Sequence, residues 1–396
     1  MKKNLSIFYV SAFFKSQLFL LPVLYLFYLE NGLTLGDFYF FQGVIFIVNV
    51  VLQFPIGYLG DLISRKKLIV ISYMLFLGRI VIWLFFRGYW VVFVGEMLYA
   101  CSKGIFDAVE SPYIYAVLCK SDKSKEMVKA YSKLNFAMSV GTSIAALSGA
   151  WLYEKSGALT LLIIEFVLVM MAILCSFFIP NTNEECVKNE KINKNILFEY
   201  YKIFKNCQAK YFILYSGLLV SFSHFFFWSI QPLMKFSMVP VYCFGVIYFI
   251  NNILRSFGAL ITDKLLSKID IKKMTLICFI LDLIGIICVL FLLLFPNYIL
   301  GISVVFYLSV CITFQLMFTI LHISNLQKIA KDEYRTKLSA INMVVARTLA
   351  GVLLVIPKYI VDTSSLQYVY TGYGILFIVL CVCLMKKINH KCLYCN

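Results

Sequence analysis

Twelve apolar stretches, each about long enough to cross a bilayer as a helix, follow one another along this chain. A helix needs about 20 residues to span the roughly 30 Å hydrocarbon core. Only 14% of the 396 residues are charged and 62% are hydrophobic, too little polar surface to cover a soluble fold. We therefore expect an all-α polytopic membrane protein. The sequence predicts transmembrane spans at 6–29, 37–60, 68–86, 90–118, 131–153, 158–179, 210–234, 240–262, 273–295, 298–325, 338–357 and 366–385.

The Lys and Arg residues between these spans are distributed unevenly. Twenty-seven lie at the two ends of the chain or in the connections after spans two, four, six, eight and ten. Only Arg87, Lys155, Lys235 and Lys358 lie in the other connections. Because basic loops remain in the cytoplasm, both termini are predicted to be cytoplasmic, in a bacterial-type cytoplasmic membrane. The basic residues that produce the net charge of +16 are then orientation signals, and we expect no nucleic-acid partner.

The thirteen cysteines do not predict a disulfide framework or a metal site. Eight of them lie inside apolar runs, where cysteine behaves as a small hydrophobic residue. His390, Cys392 and Cys395 near the C-terminus have a C-x-x-C spacing but lack a second pair. We predict no bound metal and no cofactor.

The longest polar stretch, at 180–210, separates span six from span seven. It predicts an N-terminal six-helix half at 1–180, a cytoplasmic linker at 181–209 and a C-terminal six-helix half with a short tail at 210–396. Within the linker, residues 195–205 have apolar side chains at helical spacing between lysines. This pattern fits either an amphipathic helix on the membrane surface or a flexible linker.

A distinctive motif, QFPIGYLGDLISRKK, occupies residues 53–67 between spans two and three. Gly57 and Gly60 allow helices to approach closely, and Asp61 places an anion at the membrane edge. Arg65 and Lys66 are positioned to anchor the loop to the inner leaflet. These residues predict a short basic loop at the membrane edge.

A degraded copy of the motif follows span eight. Ala259 lies four residues before Asp263, as Gly57 lies four residues before Asp61. Together with the twelve spans and the linker, this repeat resembles the major facilitator superfamily. The family often has a basic residue where this chain has Leu62. The resemblance implies two pseudo-symmetric six-helix halves, alternating access and a monomer.

A narrower resemblance is to the bacterial drug-efflux-like proton antiporters. Their second span ends in Glu-x-Pro-x-Gly, and their fourth span carries a glutamate among small residues. Here Gln53, which cannot titrate, replaces the first glutamate, whereas Glu110 within Asp107-Ala108-Val109-Glu110 matches the second. The segment RTKLS at 335–339 also resembles this group.

Span four carries four charged residues, Glu96, Lys103, Asp107 and Glu110, within roughly 60° of helical arc. A charge near the bilayer centre costs at least about 2.5 to 3.5 kcal/mol, so each should be paired, wet or functional. We expect Asp107 or Glu110 to exchange a proton in competition with the substrate. The alternative is that Lys103 only neutralises Asp107 and holds the helix in place.

In the superfamily, helices one, four, seven and ten line the central cavity. The resemblance therefore adds polar residues of those spans to the cavity candidates. An arginine in span eleven could also bind a carboxylate or phosphate. For the histidines, the alternative to carrying protons is a role as hydrogen-bonded packing residues. The candidates for proton coupling or the substrate cavity are Asp107, Glu110, Lys103, Lys15, His224, His322, Arg347, Gln231 and Gln315. The candidates for the conformational gating loop are Gly57, Gly60, Asp61, Arg65, Lys66 and Asp263.

Arg79 in span three and Glu165 in span six lie at equal depth from the outer face. We predict that they form a structural ion pair within the membrane.

No catalytic or ATP-binding signature is present, so we predict that the chain is not an enzyme. The leading hypothesis is a secondary transporter whose partners are a small-molecule substrate, protons and the lipid bilayer. We favour export of an amphipathic solute by proton antiport. Proton-coupled uptake of a metabolite, a lipid or lipid-linked flippase, and a sensor derived from a transporter remain open.

Overall fold

The computed structural model describes residues 2–119, 126–181, 210–266, 271–329, 335–361 and 366–387. Nearly all of these residues are helical, and no strand occurs among them. Most of the predicted linker, as well as His390, Cys392 and Cys395, lies outside the described residues. The backbones of Gly57, Gly60, Asp61 and Asp263 belong to helices, but the surroundings of these four residues also lie outside the description.

The helices correspond to the predicted spans within a few residues. Eight helical segments in the described ranges are long and apolar enough to span a membrane. The elements are α1 (Lys2–Lys15), a 3-10 helix (Leu21–Val23), α2 (Leu24–Glu30), α3 (Leu35–Leu62), α4 (Arg65–Phe85), α5 (Tyr89–Cys119), α6 (Met127–Phe177), α7 (Lys210–Phe236), α8 (Val241–Leu266), α9 (Ile271–Leu294), α10 (Tyr298–Ile329), α11 (Arg335–Val355), α12 (Pro357–Val361) and α13 (Leu366–Lys387).

Element α6 contains two of the predicted spans. Gly157 has a φ of 73° and interrupts the helical backbone between them. Glycine adopts positive φ at little cost because it has no Cβ, so this residue allows the sharp bend. The predicted boundary between spans five and six falls at the same place.

The first span, predicted to be continuous, is broken at its middle. Helix α1 ends at Lys15, and the chain continues through non-helical residues to the 3-10 helix at Leu21–Val23. Glu165 of α6 accepts a hydrogen bond from the Leu20 amide at 2.8 Å. Gly149 of α6 lies so close that an added Cβ would be 2.2 Å from the Phe19 carbonyl oxygen. Contacts with α6 therefore hold the break in place.

The chain forms two compact units. The first unit is built from the described parts of Met1–Thr34, Ile45–Ile192 and Pro240–Phe249. Within it α4 packs against α5, and α1 packs against α6. The second unit is built from the described parts of Leu35–Val44, Asn193–Val239 and Ile250–Asn396. Within it α7 packs against α10 and α11, and α9 packs against α10 and α13.

Large apolar side chains are exposed along several helices. Val167 and Leu174 of α6, Ile287 of α9 and Ile375 of α13 each have about half of their surface exposed. Such side chains would be costly in water but are stable against lipid tails. The polar groups, by contrast, are concentrated inside each unit, where they position the candidate site.

Candidate functional site

A charged cluster lies in the first unit, formed by Lys15, Lys103, Asp107 and Glu110. Lys103 and Asp107 are one turn apart near the middle of α5, and Lys103 Nζ lies 3.2 Å from Asp107 Oδ2. Their side chains are 44% and 24% exposed. Since exposing such charges to lipid at mid-membrane depth is costly, we infer that this face of α5 contacts water.

Glu110 lies about one turn beyond Asp107 and is more deeply buried, with 8% of its surface exposed. The Tyr131 hydroxyl of α6 donates a hydrogen bond to Glu110 Oε1 at 2.9 Å. The other carboxyl oxygen, Oε2, is buried and has no hydrogen-bond partner. One oxygen is therefore held in place while the other is available to accept or carry a proton.

Lys15 approaches the cluster from the end of α1, directly before the break in the first span. It is buried, and its Nζ lies 4.2 Å from the centroid of the Phe106 ring and 6.0 Å from that of Tyr73. Aromatic faces stabilise a cation that has left water. Lys15 also interacts electrostatically with the other three members of the cluster. Two cations and two acids are thus brought together.

A second buried polar group of the first unit surrounds Arg79 of α4. Arg79 Nη2 lies 3.4 Å from Glu96 Oε1, and the Tyr28 hydroxyl donates to the same oxygen at 2.7 Å. The guanidinium also stacks over Trp83 at 4.1 Å. Glu165 interacts with Arg79 at longer range and caps the break in the first span instead. The predicted partners share one buried group, but the short ion pair of Arg79 is with Glu96.

Glu96 is consequently separated from the rest of its helical stripe. The separation of seven positions between Glu96 and Lys103 amounts to about 10 Å along the axis of α5. Glu96 is 1% exposed and faces Arg79, whereas Lys103 and Asp107 are on an accessible surface. Helical spacing identified the face but not this change of surroundings.

Five of the predicted cavity residues belong to the second unit. His322 of α10 is buried beside the rings of Phe212 and Phe318, and its Nε2 lies 3.1 Å from Asn342 Oδ1. Gln231 and Gln315 are buried, whereas His224 and Arg347 are intermediate in exposure. The structure thus gives His322 the surroundings of a packing residue.

The basic residues of the predicted gating loop contact backbone carbonyl groups of neighbouring helices. Arg65 Nη1 donates to the Pro112 carbonyl oxygen at 3.0 Å, and Lys66 Nζ donates to that of Phe177 at 2.6 Å. Because the C-terminal carbonyl groups of a helix carry partial negative charge, Lys66 stabilises the end of α6 at Phe177. Pro112 lies inside α5, so Arg65 contacts that helix before its end. The start of α4 is thereby attached to both helices.

The sequence did not identify Tyr131, Glu96 as the partner of Arg79, or the break after Lys15. A tyrosine near the start of a helix gives no signal of its own, and the polar residues Lys15, Ser16 and Gln17 did not by themselves mark a break. In the part of the chain that the structure describes, no group of three or more His, Cys, Asp or Glu side chains is arranged to hold a metal.

Comparisons with known proteins place the chain in a family. The profile of the Major Facilitator Superfamily matches residues 5–355. Uncharacterized transporters from two Buchnera aphidicola strains, of subspecies Schizaphis graminum and Acyrthosiphon pisum, are each 25% identical to it. These alignments cover 46% and 50% of this chain and 46% and 47% of the relatives, so the chain matches about half their length.

Solved structures share the fold over nearly the whole chain. A mutant of the nucleoside transporter NupG gives a TM-score of 0.82 at 14% identity, covering 98% of this chain and 100% of that one. The peptide transporter POT in complex with sulfate gives 0.71 at 13% identity, covering 97% and 94%.

These proteins are transporters rather than enzymes, and the described helices account for the two six-helix halves of the fold. The family match extends through the charged cluster and most of the second unit. On this evidence the chain belongs to the major facilitator superfamily.

Proposed function

We propose that this protein is a secondary transporter that exports a small amphipathic solute in exchange for protons, by alternating access of two six-helix halves. The observation that carries the proposal is the charged cluster beside the break in the first span. Discontinuous helices at mid-membrane depth are a common way to build a binding site in transporters. The halves are residues 1–180 and 210–396, joined by the linker at 181–209.

The charge balance of the cluster supplies a coupling mechanism. With both acids ionised, Lys15 and Lys103 balance Asp107 and Glu110, and the four groups sum to zero. A proton on Glu110 Oε2, the oxygen without a partner, leaves one net positive charge. A cationic solute would be repelled from the protonated cluster and accepted once the proton has left. Proton and solute therefore compete, as antiport requires.

The basic loops supply the orientation of the proposed transporter. Both termini lie in the cytoplasm of a bacterial-type cell, and the protein works in the cytoplasmic membrane as a monomer. A proton enters from the outer side, and Glu110 releases it toward the cytoplasm. Arg65 and Lys66, which join α4 to α5 and to the end of α6, control the change between the two states.

Proton-coupled uptake of a polar metabolite is the second candidate. The cluster contains two cations and two acids in one region, which suits the separated charges of a zwitterionic solute. In that case the proton and the solute would bind together rather than compete. Export requires the opposite order, so the direction of proton movement on adding the solute separates the two.

The test uses inside-out membrane vesicles energised to an acidic interior, with a pH-sensitive dye inside. Cationic, anionic and neutral amphiphiles are added one at a time, followed by nucleosides and dipeptides. Antiport predicts that one class of compound causes proton release from the vesicles. We expect Glu110→Gln to abolish the release, because the amide cannot carry the proton.

Glu154→Gln is the matched control, since it makes the same change at an exposed position of α6 and should release protons like the wild type. A compound that acidifies the interior of oppositely oriented vesicles would support uptake instead. Proton release that is undiminished in Glu110→Gln would remove Glu110 from the mechanism. No response to any compound by a folded, inserted protein would reject proton-coupled transport of these classes.

A further inference from the structure

A buried carboxyl group in the second unit has no role in the proposed mechanism. Asp282 lies near the middle of α9 and is 0% exposed. Gln315 of α10 is also buried and donates from Nε2 to Asp282 Oδ1 at 2.6 Å. Within the described ranges Asp282 forms no ion pair, and no cation acts on it electrostatically.

The two unsatisfied atoms of this pair are complementary. Asp282 Oδ2 and Gln315 Oε1 are both buried and both lack a hydrogen-bond partner. A carboxylate oxygen and an amide oxygen are each acceptors only, so they cannot satisfy one another. If Oδ2 carries a proton it becomes a donor, and the missing acceptor is on the side chain already bonded to Asp282.

The side chains around Asp282 supply no positive charge that could take the place of this proton. Five titratable groups surround it: Cys278 of α9, Tyr307 and Cys311 of α10, Cys381 of α13 and Tyr215 of α7. All are neutral in their ordinary forms. The two tyrosines and the first two cysteines donate to backbone carbonyl oxygens instead.

An ionised Asp282 would therefore be stabilised by one amide donor alone. A buried carboxylate without a cation is among the most costly groups in an apolar interior, whereas a neutral acid with its hydrogen bonds made is not. The arrangement in α9 and α10 satisfies the neutral form completely and the charged form only in part.

We propose that Asp282 and Gln315 form a proton-binding site in the second unit. Asp282 is a carboxylic acid whose Oδ2–H donates to Gln315 Oε1 while Gln315 Nε2 donates to Oδ1. Both planar groups already meet through one bond, and rotation about their terminal torsions closes the second. The site binds a proton whether or not the charged cluster of the first unit couples protons to transport.

Infrared spectroscopy of the purified protein in lipid tests this assignment. The carbonyl stretch of a protonated carboxylic acid is separated from carboxylate and amide bands, and it shifts when the proton is replaced by deuterium. We expect this band at neutral pH in the wild type. Labelling the aspartate side-chain carboxyl with carbon-13 should shift the Asp282 component and leave any glutamic acid component in place.

Asp282→Asn is the main variant, because an amide can make the same two hydrogen bonds to Gln315. It should fold and lose the labelled band, amounting to one carboxyl group per chain. Asp107→Asn should retain the band, which separates this site from the charged cluster. The absence of a labelled acid band in the wild type would overturn the proposal even if the variant fails to fold. Persistence of the band in folded Asp282→Asn would also overturn it.

Discussion

Two buried carboxyl sites, one in each unit, are treated differently. In the first unit Glu96 pairs with Arg79, and Glu165 lies within electrostatic range of the same guanidinium. In the second unit Asp282 faces the amide of Gln315 and neutral side chains. The cost of placing a carboxyl group in a membrane interior is thus offset by a cation at Glu96 and, as we propose, by a proton at Asp282.

This difference determines what each site tolerates. A buried ion pair is sensitive to loss of either partner, because the remaining charge is stranded without compensation. A protonated acid can be replaced by an amide of the same shape with little loss of hydrogen bonding. The Arg79–Glu96 pair and the Asp282–Gln315 pair should therefore respond oppositely to substitutions that remove charge.

Arg79→Leu should have the largest effect. It leaves Glu96 and Glu165 without their shared cation, and we expect a loss of about 3 to 5 kcal/mol in the free energy of unfolding. Unfolding of the purified protein in detergent, monitored by circular dichroism, measures it. Arg87→Leu is the control, since that side chain is exposed, donates to the Trp83 carbonyl oxygen and has no carboxylate within ion-pair distance in the described residues. An Arg79→Leu protein as stable as the control would contradict the pairing.

Tyr131→Phe examines the carboxyl group that is intermediate between the two cases. Glu110 would lose its hydrogen-bond donor and have both oxygens unpartnered, which should cost about 1.5 to 3 kcal/mol if it is ionised. The pH profile of proton release from vesicles should also differ from that of the wild type. Tyr368→Phe removes the same hydroxyl group from an exposed site. Matching pH profiles in all three proteins would show that Tyr131 does not act on Glu110.

Asp282→Leu and Asp282→Asn compare shape and polarity in the second unit. The leucine leaves both polar atoms of the Gln315 amide unpartnered, at an expected cost of about 1 to 3 kcal/mol. The asparagine should cost less than about 1 kcal/mol because the amide pair keeps both hydrogen bonds. Unfolding of the two variants side by side measures the difference. If the asparagine variant were the less stable of the two, Asp282 would need its charge.

The sequence predicted the helices better than it predicted their polar contacts. Apolar runs of about 20 residues locate spans because the bilayer sets their length, and Gly157 marks the bend inside α6. The break after Lys15 could not be read in this way. It is fixed by Glu165 and Gly149, which lie more than 100 positions further along the chain.

For the candidate site, too, the sequence predicted neighbours on one helix but not contacts between helices. Helical periodicity brought Lys103 and Asp107 together, since residues four apart are neighbours on any helix. It also assigned Glu96 to their stripe, whereas the tertiary fold gives Glu96 to Arg79 on a different helix. Partners on other helices, such as Tyr131, depend on packing that periodicity does not encode.

Lys103→Gln should have the smallest effect on stability and a large effect on function. Its ion pair with Asp107 is nearly half exposed and joins adjacent turns, so its loss should cost about 0.5 kcal/mol or less. The proposed charge balance, however, depends on Lys103, and proton release from vesicles should fall sharply. Measuring unfolding and proton release on the same preparation separates a structural pair from a functional one. A variant that is strongly destabilised, or one that releases protons normally, would show that Lys103 only holds α5 in place.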